Sequence, residues 1–192
     1  IRRIRAYSTN TIAEGELLQL MNCRDPDGDE ASYLRVSRYK TAKRCESAAQ
    51  IGAVLAGADE QTEAAAAAYG RHLGTAFQLV DDVLDYSGAS AELGKNIGDD
   101  LREGKPTLPL IRVMQAGSAA DREIVRNAIR DGGTERFDMI QAAIDRHDAL
   151  GYTRALAQAE AGKARDALER LPESQYREAL LYLVAYSVSR SN

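Results

Sequence analysis

The chain has 192 residues, with 25 Lys and Arg against 29 Asp and Glu, for a net charge of −4. That balance excludes a general affinity for nucleic acid or anionic membrane and points to a small-molecule partner. Cys23 and Cys45 are too few for a disulfide framework and too far apart for a zinc or redox motif.

No run reaches the roughly eighteen apolar residues of a membrane span, and the opening IRRIRAY lacks the apolar core of a signal peptide. A cytoplasmic protein is expected. Abundant alanine, only four prolines and the absence of period-two alternation predict an all-α fold, and the length predicts one domain over residues 1–192. The first helix is predicted from Arg2 to Met21, ending at NCRDPDGDE, where Pro and Gly mark a turn. Asp29 or Ser32 starts the next, which carries Val36, Tyr39, Thr41, Ala42 and Ala49 towards Leu55.

Gly57 and Asp59 break and recap the chain, and Asp59 with Thr62 and Glu63 predicts the N-terminus of a long helix through Tyr86. The alanine run at residues 64–68 reads as plain helix. Gly70 and Gly74 inside that helix cost about 1 kcal/mol each relative to Ala, so a neighbouring helix is expected to approach closely there. After a loop over residues 87–106, helices are predicted over 107–116, 119–131, 135–149, 152–170 and 173–189. Gly117, Gly132 with Gly133, Gly151 and Pro172 separate them.

Three apparent motifs fail on their own chemistry. Asp25, Asp27 and Asp29 imitate the start of a calcium loop, but Glu30 stands at the sixth position and Val36 at the twelfth, where Gly and a bidentate Glu are needed. GDDLREGKPT imitates a phosphate loop, yet has one residue too many between Gly98 and Gly104 and Pro106 where Ser or Thr belongs. His72 and His147 are isolated, with no partners in sequence for a metal site or a triad.

The informative stretch is FQLVDDVLDYSGASAELGKNIGDDLREGKPTLP, residues 77–109. On a helix, Gln78, Asp81, Asp82 and Asp85 follow i, i+3, i+4, i+7 and form one polar stripe. Phe77, Leu79, Val80, Val83 and Leu84 occupy the other faces, which predicts a helix enclosed on most sides with its acids turned to a cavity. Buried together, three carboxylates need a counter-charge. One reading is a divalent ion, and hard oxygen ligands favour Mg²⁺ bound through one or two carboxylates plus substrate phosphates. The other is an acidic face paired with lysines from another helix. The loop that follows carries Lys95 and Lys105 among Gly88, Gly94, Gly98 and Gly104, so acids and lysines together form the parts of a diphosphate clamp. Arg102 and Glu103 read as loop-holding charges.

FQxxDDxxD followed by GKNxGDDLxEGKPTLP resembles the second aspartate-rich motif of trans-isoprenyl diphosphate synthases, most closely the medium- and long-chain octaprenyl, solanesyl and decaprenyl group. NTIAEGELLQL and YKTA at residues 39–42 extend the resemblance to nearly the whole chain, as the C-terminal part of a family member. The resemblance implies an all-α isoprenoid synthase bundle around a central cavity. It implies a prenyltransferase that condenses an allylic diphosphate with isopentenyl diphosphate, with Mg²⁺ as cofactor and a homodimeric assembly.

Carried onto matching positions, Asp81 is the first metal ligand, with Asp82 and Asp85 acting through metal-bound water or lysine contacts. Lys40, Lys95 and Lys105 grip diphosphate. Thr41 and Gln78 flank the nascent allylic cation. The family pattern also includes a first DDxxD, which these residues do not contain, so little elongation is expected from them alone. The alternative implied role is a non-catalytic partner of a heteromeric synthase. KTAKRCESAAQ departs from the pattern by placing Lys43, Arg44 and Cys45 where a large apolar residue is expected.

Overall fold

A computed structural model describes residues 1–87, 98–132 and 136–190. All regular secondary structure among the described residues is helical: α1 (Arg2–Asn22), α2 (Glu30–Ser37), a π-helical stretch (Arg38–Ala42), α3 (Lys43–Leu55), α4 (Glu60–Tyr86), α5 (Asp99–Arg102), α6 (Leu108–Ala116), α7 (Ala119–Asp131), α8 (Phe137–Arg146), α9 (Ala149–Leu168) and α10 (Gln175–Ser189). None of them is long and apolar enough to cross a membrane.

The caps explain the boundaries. Asp29 accepts from Ser32 N at 2.8 Å and Asp59 from Thr62 N at 2.8 Å, satisfying first-turn amides of α2 and α4. Ser118 and Ser174 do the same for α7 and α10. The acidic turn before α2 is used locally, with Asp25 accepting from Asp27 N and Asp27 pairing with Arg126 at 2.8 Å.

The long helix α4 is the axis, packed most extensively against α9 and α3. Its middle meets α3 almost backbone to backbone. A Cβ on Gly70 would lie 2.3 Å from the Cys45 carbonyl oxygen, and one on Gly74 would lie 2.6 Å from Ala42 Cα. The close approach expected from those glycines is therefore present, and it gives position 45 its reason: the seam takes a small side chain. Lys43 is buried but paired, 2.6 Å from Glu46 and with its ammonium 4.7 Å from the Tyr7 ring centroid.

Three apolar clusters surround α4. Tyr69 and Ala76 pack with Ala161, Ala164, Leu168 and Val184 of α9 and α10. Leu79, Val80 and Leu84 pack with Leu108, Ile111 and Ala157. Tyr86 joins Leu110, Val113, Ile129 and Ile144 towards α6, α7 and α8. One face differs from expectation: Phe77 is 42% exposed, with the Arg190 guanidinium 3.9 Å from its ring centroid. A cation over the ring replaces the protein core there, so α4 is open on this face.

The second predicted helix proves to be interrupted. Residues 38–42 widen into π geometry inside what is otherwise a continuous run from Glu30 to Leu55. Gly15 of α1 allows this, because a Cβ there would come within 2.9 Å of Tyr39 Cβ and 3.0 Å of Lys40 N. Such bulges shift the side chains that follow them onto a new face. Here Lys40 and Thr41 are the residues it carries.

Candidate active site

The last turns of α4, the π-helical stretch, the end of α1, the start of α2 and residues 105–107 enclose a cavity of about 220 Å³. Asp81, Asp82 and Gln78 border it from α4, Lys40 and Thr41 from the π-helical stretch, and Asp100 and Lys105 from the segment after Gly98.

Asp82 is 1% exposed. It accepts from Tyr33 Oη at 2.6 Å, Gln78 Nε2 at 3.0 Å and Leu108 N at 3.4 Å. These donors are neutral. Burial pushes its carboxyl up to about 7, and the Asp100 charge adds to this against the Tyr33 and Gln78 hydrogen bonds. Burial, together with the Asp82 charge, holds the Tyr33 phenol well above its ordinary value, so it remains a donor.

Asp85 is also buried, but it is absent from the cavity lining and turns to the start of α5, accepting from Asp100 N at 3.3 Å. Burial, then the Asp100 charge, raises it to about 6 against the backbone amides of Asp100 and Asp99. Gly98 makes this contact possible. At φ 79° it adopts the left-handed conformation that favours glycine, donates to Asp85 O at 3.0 Å and caps α5.

The cations are held in two ways. Lys40 Nζ donates to Gln19 Oε1 at 2.7 Å and lies 3.0 Å from Glu16 Oε2, both on α1. Lys105 Nζ lies 3.0 Å from Asp100 Oδ1 and 2.6 Å from Glu103 Oε2. Burial works against the Lys105 charge, but hydrogen bonds to Glu103 and Asp100 outweigh it and raise the ammonium above its ordinary value. Arg102 pairs with Asp99, so this loop is held by its own charges. Thr41 Oγ1 donates to Gln78 Oε1 at 2.9 Å, which brings those two predicted residues into contact.

The structure thus gathers Lys40, Thr41, Gln78, Asp81, Asp82 and Lys105 at one cavity, and sets Asp85 behind it. Lys95 lies outside the described residues. Among the described residues, no three His, Cys, Asp or Glu side chains gather closely enough to hold a metal by themselves. The donor set nevertheless fits Mg²⁺, which needs only one or two carboxylates when phosphate oxygens and water complete its shell. A buried carboxylate at about 7 with only neutral donors among the described residues is the kind of group a cation stabilises.

Sequence reasoning missed Tyr33, Gln19 and Asp100. Tyr33 gives no local signal because its partner Asp82 is 49 residues away. Gln19 sits in the quoted GELLQL run, one helical turn after Glu16, and that shared spacing could have linked both to one cation. The two histidines have structural partners: His72 Nδ1 is 2.6 Å from Glu160 and His147 Nε2 is 2.9 Å from Asp121.

An all-helical bundle with acids and lysines around an interior cavity defines the class, and solved structures of that class superpose on it. A decaprenyl diphosphate synthase from Rhodobacter capsulatus matches with a TM-score of 0.92 and 40% identity over 100% of this chain and 59% of its own. A polyprenyl synthase from Caulobacter crescentus, solved with calcium and isoprenyl diphosphate, matches with a TM-score of 0.92 and 43% identity over 99% of this chain and 58% of its own. The fold is the isoprenoid synthase helical bundle.

Residues 2–146 match the family model described as polyprenyl synthetase, and the chain belongs to that family. It is 52% identical over its whole length to the octaprenyl diphosphate synthase of Haemophilus influenzae and 46% identical over 99% of its length to that of Escherichia coli. The chain spans 58% and 59% of those relatives' lengths.

Proposed function

We propose that these residues are the C-terminal portion of a single polyprenyl synthase domain, in a protein that extends an allylic diphosphate with isopentenyl diphosphate to a polyprenyl diphosphate. The observation that carries this reading is the shared cavity. Lys40, Thr41, Gln78, Asp81 and Lys105, which come from three separate parts of the sequence, all border it.

In this reading Lys40 and Lys105 bind the allylic diphosphate, and Lys95 joins them. Their ammonium groups stabilise the negative charge that grows on the diphosphate as its bond to the allylic carbon breaks. Thr41 and Gln78 direct oxygen atoms at the carbocation left behind. The double bond of isopentenyl diphosphate then attacks that cation, and the proton lost from the new chain passes to the departed diphosphate. Asp81 would hold Mg²⁺, with Asp82 and Asp85 acting through metal-bound water or lysine contacts, and the ion would supply Lewis-acid stabilisation of the leaving diphosphate. No protein nucleophile is required. We further infer a homodimer working in the cytoplasm, with a product in the medium- to long-chain range of the relatives.

The test is elongation of an allylic primer by radiolabelled isopentenyl diphosphate in the intact gene product, with Mg²⁺ and with a chelator, alongside the 192-residue chain alone. The expected result is polyprenyl product from the intact protein only, abolished by the chelator. Absence of product from the folded intact protein overturns the assignment, and undiminished elongation in chelator overturns the metal's part in it.

A further inference from the structure

A hydrogen-bond chain that converges on Asp82 from both ends runs along the cavity wall. Tyr33 Oη donates to Asp82 Oδ2 at 2.6 Å, Gln78 Nε2 donates to Asp82 Oδ1 at 3.0 Å, and Thr41 Oγ1 donates to Gln78 Oε1 at 2.9 Å. The four residues come from α2, α4 and the π-helical stretch, and all border the cavity.

Each link constrains the next. A carboxylate oxygen that accepts from Gln78 selects the NH₂ end of its amide, which leaves the carbonyl end for Thr41. Thr41 has one hydroxyl hydrogen, and it is committed to that carbonyl. Its oxygen therefore offers only lone pairs to whatever enters the cavity. An acceptor-only oxygen favours developing positive charge, whereas an O–H pointed at the same spot opposes it. The orientation is valuable only if it is held.

Tyr33 is what holds it. Without its O–H, Asp82 Oδ2 keeps a single contact among the described residues, the 3.4 Å approach of Leu108 N. The carboxylate can then turn away from Gln78, and the amide can rotate by half a turn, offering NH₂ to Thr41 and releasing the hydroxyl hydrogen towards the cavity. Because Tyr33 packs against the apolar cluster that contains Leu79, Val80, Leu108 and Ile111, a phenylalanine there keeps the apolar packing and loses only the donor.

We propose that Tyr33 is a positioning residue for the reaction, acting through Asp82 and Gln78 to keep the Thr41 oxygen turned to the cavity as an acceptor. This rests on the reading that Thr41 faces an allylic cation. It places on α2, in a segment that carries no recognised motif, a residue that acts on the barrier through its neighbours.

The test is a double-mutant cycle in the intact gene product with Tyr33→Phe and Gln78→Ala, read by steady-state elongation kinetics and thermal melting. Tyr33→Phe is expected to lower kcat about tenfold with KM for both diphosphates within about twofold. In the Gln78→Ala background, Tyr33→Phe is expected to change kcat by less than about twofold, since the group it acts through is gone. The melting temperature should fall in both backgrounds, and by less in the Gln78→Ala one, where the Asp82–Gln78 bond that Tyr33 steadies is already absent. A parent protein that elongates, combined with an unchanged kcat in Tyr33→Phe or an equal loss in both backgrounds, overturns the positioning role. A folded parent that makes no product overturns the reading beneath it instead.

Discussion

Asp82 and Asp121 are both nearly inaccessible, at 1% and 6% exposure, and the protein treats their charges in opposite ways. Asp121, in the first turn of α7, accepts from Arg146 and from His147 at the end of α8, and from Ser118. The Arg146 hydrogen bond, followed by those from His147 and Ser118, holds its carboxyl well below the usual range. Asp82 meets only a phenol, an amide and a backbone N–H among the described residues, and burial drives it up to about 7. One carboxylate arrives with an arginine and an imidazole built in and ties two helices together. The other faces a cavity with neutral donors alone among the described residues. The difference separates scaffold from site within a single fold.

The comparison breaks most visibly in turnover. Asp81→Ala, at the cavity, is expected to lower kcat/KM for elongation by at least about a hundredfold in the intact gene product, with little change in melting temperature. Asp121→Ala is expected to do the reverse. It leaves Arg146 and His147 without their acceptor, removes the clasp between α7 and α8, and lowers the melting temperature by several degrees while elongation stays within about twofold. A folded Asp121→Ala protein with no turnover would erase the distinction.

A pH titration of stability separates the same two residues by sign. The folded-state value of Asp82 is about 7, above the 3.8 of an ordinary aspartate, so the folded protein keeps a proton that the unfolded chain has lost. Stability is expected to fall as pH rises from about 4 to about 7 in chelator, with Asp85 sharing that limb because it too is raised, to about 6. Asp121 is depressed below 3.8, so its contribution is complete above that value and is lost as pH drops further. Calorimetry from pH 3 to 8 should show both limbs. Adding Mg²⁺ with inorganic diphosphate should flatten the upper limb alone.

Much of this architecture was legible because caps and glycines act locally. Asp59 with Thr62 marked the start of α4, Gly117 and Gly132 bracketed α7, and Gly70 with Gly74 announced the α3 seam. The acidic stripe was legible as a stripe, but its members part in space: Asp82 and Asp85 find different partners because α5 begins beside one and α2 passes the other. The π-helical stretch left no trace in propensity, since it depends on Gly15 of α1 meeting Tyr39. Tyr33 stayed hidden for the same reason, a contact across 49 residues. Phe77 misled because an aromatic on a helix reads as core, whereas Arg190, 113 residues on, supplies an exposed lid for it.

The smallest expected effect tests whether built-in partners are redundant. Glu160 is 3% exposed and resembles Asp121 in design: burial opposes its charge, but His72 Nδ1 at 2.6 Å and Lys163 Nζ at 2.8 Å hold it down to about 2. The Lys163 side chain is 54% exposed and lies at i+3 on the same helix, so its share is screened by water. Lys163→Ala is expected to cost about 0.3–0.5 kcal/mol by urea denaturation, less in high salt, with elongation unchanged. His72 alone should then suffice for Glu160. A loss several times larger would mean that a buried carboxylate in this scaffold needs both of its partners, and Asp82, with no cationic partner among the described residues, would depend on a bound cation for stability as well as for turnover.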